Sequence, residues 1–595
     1  MDSRFTQFIK EHEASLKKLN ALFNFVGYVK LGLFLMLIVS GYSALTKGFP
    51  PVLIGTSLGI FIVFIGFWMY QDKLHEKIDY LSGIIAINNR HLDRISGKWD
   101  GFSDIGEEFI NPEHPYVCDL DIVGRKSLFQ FLNRTHTWYG RHAFAKDLLH
   151  PSYTKEEIQK RQEAILELSK DIEFTNQMEY YFSKIGLDNT STPNLVNNLK
   201  DANPFISNKT LKFFLIYAPV LTVLLIAFML IFKVKALYLT GTTLAFIQAL
   251  LWALGFPKTQ MYLGTIANTS YKLAPYGTVI ETLKSKKFHS EKLKEIQAQL
   301  STSEHSASQA IKDLDKILSK ISTRNNLIIY FILNVFLLWD YQCAFMLEAW
   351  KAKYAHLSEK WFLALGEFES LMSFSTLGSV CNNTCLPAIS DKNKTIEARD
   401  LGHPLLPNES RVNNDFKLYD SIFIISGSNM SGKTTFLRTV GINLVLAQAG
   451  SFVCAKEMTF SPLKIMTSMR IVDDLNEGIS TFYAELKRIK IIIETAKTDS
   501  NMIFLIDEIF RGTNSVDRLI GAKTVVAKLN ELNVAGLITT HDLELCNLAN
   551  IYPRIDNYNF SEYYRDNTIY FDYKIKPGKS NTTNAKYLMK MIGII

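Results

Sequence analysis

Four stretches, residues 25–45, 50–70, 213–232 and 236–256, are apolar almost without interruption, and they limit most strongly what this chain can fold into. Lys30 is the one charged residue within them. A helix rises about 1.5 Å per residue, so roughly 20 apolar residues cross a ~30 Å hydrocarbon layer. Each stretch meets that length. A helix apolar on every face needs either a large protein core or lipid around it, and two tight pairs of such helices are hard to enclose in protein. The pairs are joined around TKGFPP (46–51) and KVKA (233–236), so each reads as a transmembrane hairpin.

Arg4, Lys10, Lys17 and Lys18 precede the first span and favour a cytoplasmic N-terminus. The apolar run starts only at residue 25 and a second span follows at once, which argues against a secretory signal peptide. In the second hairpin Lys233 and Lys235 oppose Lys209, Lys212 and Lys258, so its charge bias is indecisive. Two hairpins return the chain to one side each time. The polar segments therefore share one compartment, expected to be the cytoplasm beneath a cell membrane. A fifth apolar run, 325–339, has only fifteen residues before Asp340 and is expected to be a buried core helix.

Outside the spans, 595 residues leave room for several domains. The expected fold is multidomain, with transmembrane hairpins, an all-α core or lever region and a C-terminal α/β domain. The segments are 1–24, a hairpin at 25–70, a polar stretch 71–211 opening the helical core, a hairpin at 212–257, helical core 258–394 and α/β domain 395–595. With 47% hydrophobic and 21% charged residues the chain is not disordered. Six cysteines are too sparse for a disulfide framework, and Cys381 with Cys385 lacks a second pair to complete a zinc site. A net charge of +7 permits nucleic acid or an anionic membrane as partner without demanding either. TKEEIQKRQEAILELSKDIEF (154–174) has a threonine cap and apolar Ile158, Ile165, Leu166 and Leu168. Residues 270–324 place Leu293, Ile296, Leu300, Ile311, Leu314 and Leu318 at helical spacing, which predicts one or two long amphipathic helices in a solvated arm.

From about residue 395 the rhythm changes to short strands alternating with helices, expected to give a largely parallel sheet. The strand SIFIIS (421–426) runs into GSNMSGKTT, residues Gly427, Ser428, Asn429, Met430, Ser431, Gly432, Lys433, Thr434 and Thr435. This is the G-x-x-x-x-G-K-[ST] phosphate loop with the strand before it and the helix after it that the pattern requires. Glycines let the backbone approach phosphates, and amide N–H groups at the helix start cradle the anion. Lys433 would reach the β- and γ-phosphates and Thr434 would hold Mg²⁺. MIFLIDE (502–508) is a buried-strand run ending in two acids. Asp507 would bind the magnesium and Glu508 would orient or deprotonate the attacking water. His541, in TTHD after another strand, could hydrogen-bond the γ-phosphate. These motifs specify a nucleoside triphosphatase using Mg²⁺; on their own they do not name its work.

The loop with its Asn429–Met430 pair, DDLNEGISTF (473–482), LIDEIFRGTNSVD (505–517) and TTHD strongly resemble the ATPase domain of the MutS family of DNA mismatch-repair proteins. Upstream, the stretch from DLDIVGRKSL to QKRQEAI (119–165) resembles the start of that family's helical core. The resemblance covers roughly 116–211 and 260–595. It implies ABC-type heads that pair, each completing the other's site, with DNA as a partner and a homodimer as the assembly. It further implies that Ser480 contacts the γ-phosphate bound by the opposite subunit, and that Asp517 lies in a loop crossing the dimer interface. Val412 and Asn414 sit where the family packs its adenine.

The departures are as informative. The hairpin 25–70 and a polar stretch occupy the place of the family's mismatch-reading module. The connector module has no counterpart, and the second hairpin interrupts the lever helices. Residues 276–320 correspond to a much reduced DNA clamp, and AKYLMKMIGII ends the sequence where the family carries a helical extension. The one Phe-x-Glu string, Phe560-Ser561-Glu562, falls in the ATPase domain, away from any recognition module. The expectation is a membrane-anchored ATPase that handles DNA with weak mismatch preference. Two alternatives remain: a membrane mechanochemical or scaffolding ATPase without DNA binding, and an ABC transporter half, for which four spans with few polar groups make a poor pathway.

Overall fold

The two helices of the first hairpin run far past the apolar stretches. In the computed structural model, helices Asp2–Thr46 and Pro51–Ser96 pair antiparallel along their length. Phe5 stacks on His91 at one end, and Ser40 shares a hydrogen bond with Ser57 near the other. Lys30 does not stand bare within the apolar run. Its ammonium bonds Gln71 Oε1 at 2.6 Å and lies 4.4 Å from the Trp68 ring centre. Proline at the first position starts the second helix, and Gly97 at φ 81° ends it in the left-handed conformation. The structure describes all residues except 1, 49, 152–153, 187–190, 201–204, 233–234, 268–272, 302–305, 471–480, 511–513, 566–567 and 581–595.

Among the described residues four helices are long and apolar enough, by length and composition, to cross a membrane. Of the residues in their apolar windows, 6%, 0%, 22% and 11% are buried in chain order, so these are not core helices of the fold. The second hairpin consists of Lys209–Phe232 and Lys235–Ala267, with Gln248 Nε2 donating to Thr222 Oγ1 at 2.7 Å between them. The run 325–339 departs from expectation. Its helix Leu327–Leu337 buries Tyr330 and Asn334 but exposes Leu327, Ile328, Ile329, Phe331, Ile332 and Phe336, so it is not a core helix.

The chain forms two compact units. One comprises Asn133–Asp171 and Tyr181–Ser375, and among its described residues it holds helices and no named strand. Helix Lys155–Lys170 opens with a capping box in which Thr154 and Glu157 satisfy each other's backbone N–H groups. Residues 270–324 differ from the one or two solvated helices expected. Their described residues form three α-helices, Ala274–Ser285, Glu291–Gln299 and Ala307–Ile321, and Leu293, Ile296, Leu300, Ile311, Leu314 and Leu318 are all buried. The partner is the long helix Trp339–Ser375, whose Trp350 indole donates to Ala310 O at 2.7 Å. A stripe of that apolar content is stabilised by packing rather than left as an arm.

The other unit, Met1–Leu132, Ile172–Tyr180 and Thr376–Ile595, carries the first hairpin and all ten strands of the described chain. Strands β1 (Ala388–Ile389), β2 (Thr395–Leu401), β3 (Asn414–Tyr419) and β5 (Glu457–Phe460) form a four-stranded sheet, order β1-β5-β2-β3, antiparallel except between β1 and β5. The six-stranded sheet takes β4 (Ile422–Gly427), β6 (Lys464–Ser468), β7 (Met502–Asp507), β8 (Ala535–Thr540), β9 (Ile555–Arg565) and β10 (Thr568–Pro577) in the order β10-β9-β4-β8-β7-β6. Only β10 runs antiparallel. All residues of β4, β7 and β8 are buried, which explains their unbroken apolar runs.

Residues 115–123 are bound to this sheet. Asp119, 5% exposed, accepts hydrogen bonds from Thr467 Oγ1 (2.6 Å), Met469 N (3.2 Å) and Arg470 N (2.8 Å). Asp121 bridges Arg438 and Arg470. The two polar segments separated by more than three hundred residues are thereby one body.

Candidate functional site

The central strand β4 delivers the loop 428–432 to the start of helix Lys433–Gln448. Gly427 (φ 155°) is required at the strand end: a Cβ there would meet Phe560 O of the neighbouring β9 at 2.7 Å. Met430 takes a left-handed φ of 65° and projects into solvent, 84% exposed. Ser431 is buried, and Gly432 is the helix N-cap. Lys433 is folded back over the loop, its ammonium donating to Gly427 O at 2.9 Å and Ser428 O at 2.8 Å. Ser428 Oγ donates to the buried Glu562 carboxylate at 2.8 Å.

The acids lie at the C-terminal end of β7, two strands from β4. Asp507 accepts from Thr434 Oγ1 at 2.9 Å and from Thr539 Oγ1 at 2.6 Å. Glu508, at φ 50°, anchors its backbone N–H on the Thr539 hydroxyl at 3.0 Å. Its carboxylate meets His541 Nε2 at 2.8 Å. His541 therefore touches the acid beside the loop, a contact that the motif alone did not suggest. Hydroxyl and carboxylate oxygens suit magnesium, which typically takes one or two protein carboxylates and fills its octahedron with water and phosphate oxygens. Thr434 and Asp507 fit that pattern.

A cleft of about 620 Å³ opens over the loop, lined by Asn429–Phe436, Glu508 and, among others, Val412 and Asn414. Val412 and Asn414 thus stand at the cleft, but the Asn414 amide is already engaged, donating to Tyr573 O (3.0 Å) and accepting from Ile575 N (2.9 Å). It holds β10 in place. Sequence reasoning missed His403, Phe560, Tyr573 and Glu562, none of which lies in a recognisable motif around the loop. Of the Phe-x-Glu string, Phe560 lines the cleft and Glu562 holds Ser428 of the loop. Ser480 lies outside the described residues, as do residues 473–479 and 511–513 of the quoted motifs. Contrary to what the resemblance implied, Asp517 does not lie in a loop. It occupies the first turn of helix Ser515–Glu531, where Asn514 Oδ1 caps its N–H at 2.9 Å and its charge complements the helix dipole.

His403 is buried in the cleft wall, and desolvation, with Arg438 and Arg411 nearby, pushes its pKa from 6.5 down to about 3. Between those values the unfolded chain binds a proton that the folded chain refuses. Stability from the neutral imidazole is complete above about pH 6.5 and is lost as pH falls toward 3. Melting curves at pH 7 and pH 5 should show His403→Gln losing less stability on acidification than the parent, by up to ~1.4 kcal/mol per pH unit.

An open parallel sheet, a glycine-bounded loop at a helix N-terminus and an acid pair on a nearby strand define an α/β domain suited to hold and attack a phosphate chain. Residues 423–594 match MutS domain V, and residues 117–211 match MutS domain III. The DNA mismatch repair protein MutS of Desulforapulum autotrophicum is 31% identical over 244 residues, covering 39% of this chain and 26% of that protein. The DNA mismatch repair protein MutS of Staphylococcus aureus strain JH9 is 32% identical over 251 residues, 40% of this chain and 28% of that protein. The chain spans about a quarter of the length of these curated relatives. Both domain matches and both relatives are thus MutS, each over less than half of this chain.

Proposed function

We propose that this chain is a membrane-anchored, MutS-like ATPase that hydrolyses ATP to ADP and phosphate in paired ABC-type heads and handles DNA at the cytoplasmic face of a cell membrane. The observation that carries the reading is the chain of contacts Thr434–Asp507–Thr539–Glu508–His541 at the mouth of an anion cradle. Lys433 exchanges its loop carbonyls for phosphate oxygens, and the backbone N–H groups of 428–434 hold the β-phosphate. Magnesium, when bound at Thr434 and Asp507, neutralises the phosphate chain. Glu508 orients a water and takes its proton as the water oxygen bonds to the γ-phosphorus and the bond to the ADP oxygen breaks. His541, donating to the Glu508 carboxylate, holds it in the attacking orientation. Ser480 of a second head would complete the site.

The four apolar helices with uncovered faces support the membrane anchor. The names of the matched relatives support DNA as the load. A specific observation favours the second reading, a mechanochemical or scaffolding ATPase. Helix Pro51–Ser96 runs unbroken from apolar stretch to body, where Arg94 Nε donates to Phe131 O at 2.7 Å and Asn176 bonds both Asn88 and His91. Such a strut can carry movement to or from a bilayer. DNA binding by the full-length Glu508→Gln protein in detergent separates the two, using perfect, mismatched and branched duplexes with Lys433→Ala as control. The DNA reading expects ATP-dependent binding that weakens about fortyfold between 50 and 200 mM salt if three phosphates are contacted. No binding to any duplex with ATP affinity intact would leave the mechanochemical reading.

A further inference from the structure

The helix Leu327–Leu337 has its polarity inside out. Its inward side carries Asn334 and Tyr330, both buried, while its outward side shows Leu327 and Ile328 at 80% and 75% exposure together with Ile329, Phe331, Ile332 and Phe336. A helix at a water interface shows the reverse pattern, and an uncovered apolar patch of this kind marks an interaction surface. The inward polar groups have a task. Tyr330 OH donates to Asp340 Oδ2 at 2.6 Å, Asn334 Oδ1 accepts from Asp340 N at 3.0 Å, and Arg324 pairs with the same carboxylate at 2.9 Å. This cluster fixes a left-handed residue, Leu338 (φ 48°), at which the chain turns by 79° into helix Trp339–Ser375. No charged residue lies between Arg324 and Asp340.

We infer that Leu327–Leu337 is a re-entrant membrane helix, inserted into one leaflet beside the second hairpin with its exposed face in lipid. Eleven residues rise about 16 Å, half of a hydrocarbon layer. The neighbour is already of membrane character: Trp252, in helix Lys235–Ala267, packs its ring 5.8 Å from both Tyr330 and Phe331. The exposed faces of the two helices thus belong to one apolar surface. Asn326 caps the inserted helix by accepting from Ile329 N, and Arg324 and Asp340 close its two ends by pairing with each other. Paired with one another, the polar groups need no water, while the apolar face meets lipid. The inference rests on the membrane reading of the second hairpin and adds a fifth lipid contact to it.

The test places a photoreactive benzophenone side chain at Ile328 or Ile332 of the full-length protein, reconstituted in phosphatidylcholine vesicles carrying an alkyne-tagged lipid. Leu221, exposed on the second hairpin, is the membrane control, and Val516, exposed on the ATPase domain, the aqueous one. All four positions are exposed, so the substitution leaves packing intact. Lipid capture at Ile328 and Ile332 within about threefold of Leu221, with none at Val516, is expected of a segment in the hydrocarbon layer. Capture at Leu221 but not at Ile328 or Ile332 overturns the re-entrant helix and leaves the four-span reading standing. Cross-links from Ile328 to a second copy of the chain overturn it too, by showing that protein covers the face. Failure of Leu221 itself to capture lipid overturns both readings.

Discussion

Replacing Glu508 by Gln should lower steady-state ATP turnover by about 10²–10⁴-fold while ATP affinity stays within about threefold. Gln keeps the size and the hydrogen-bonding reach but cannot accept the proton of the attacking water. The backbone at Glu508, held at φ 50° by Thr539, has no reason to move. The geometry adds a test that the motif by itself does not. Because His541 Nε2 lies on the Glu508 carboxylate at 2.8 Å, His541→Ala should act through Glu508, costing roughly tenfold alone. In the Glu508→Gln background it should cost almost nothing more, because two residues acting through one step are non-additive. Turnover of the four proteins under saturating ATP and Mg²⁺ gives the cycle. Full additivity would mean that His541 works independently, on the phosphate chain.

Asp119→Ala should destabilise the sheet-bearing unit by about 2–4 kcal/mol, the scale of leaving several buried donors without their charged acceptor. The carboxylate accepts from Thr467 Oγ1, Met469 N and Arg470 N. Alanine leaves two backbone N–H groups and a hydroxyl without their acceptor in a water-poor place. The arginine side chains keep their own partners, Arg470 on Asp121 and Arg488 on the carbonyls of residues 113–115, so the loss belongs to Asp119 alone. Thermal unfolding followed by intrinsic fluorescence should shift by several degrees or more for a unit of this size. Asp119→Asn, which keeps one acceptor oxygen, should recover part of the loss. Equal stability of all three proteins would mean that residues 115–123 only lie against the sheet and do not bind to it.

Much of this protein was legible in the order of its residues, for reasons that are local. Apolar runs of 20 or 21 residues favour helices long enough to cross a membrane, so the two pairs of long apolar helices follow from length and hydropathy alone. The loop 427–435 was legible because glycine, lysine and threonine at that spacing mark a turn from a buried strand into a helix. The acid pair was legible because an apolar run of strand length must be buried, and its end must emerge at the sheet edge.

Tertiary structure decided what depends on residues far apart in the chain. The lining of the cleft by His403, Phe560 and Tyr573 is set by which strands neighbour β4, and no spacing encodes that. The same holds for His541, whose distance to Glu508 is fixed by the register of β7 and β8, Asp507 beside Thr539. Residues 270–324 were expected to form a solvated arm because periodicity reveals an apolar stripe but not its partner, the helix Trp339–Ser375. The run 325–339 was read as core because apolar content does not say which side faces out. Three polar side chains closing on Asp340 turned that helix over and left its apolar side uncovered. Sequence sets what each segment needs to bury or to bind, since those needs are properties of its own side chains. Which neighbour meets the need is a property of the whole chain's packing, and only the folded structure holds it.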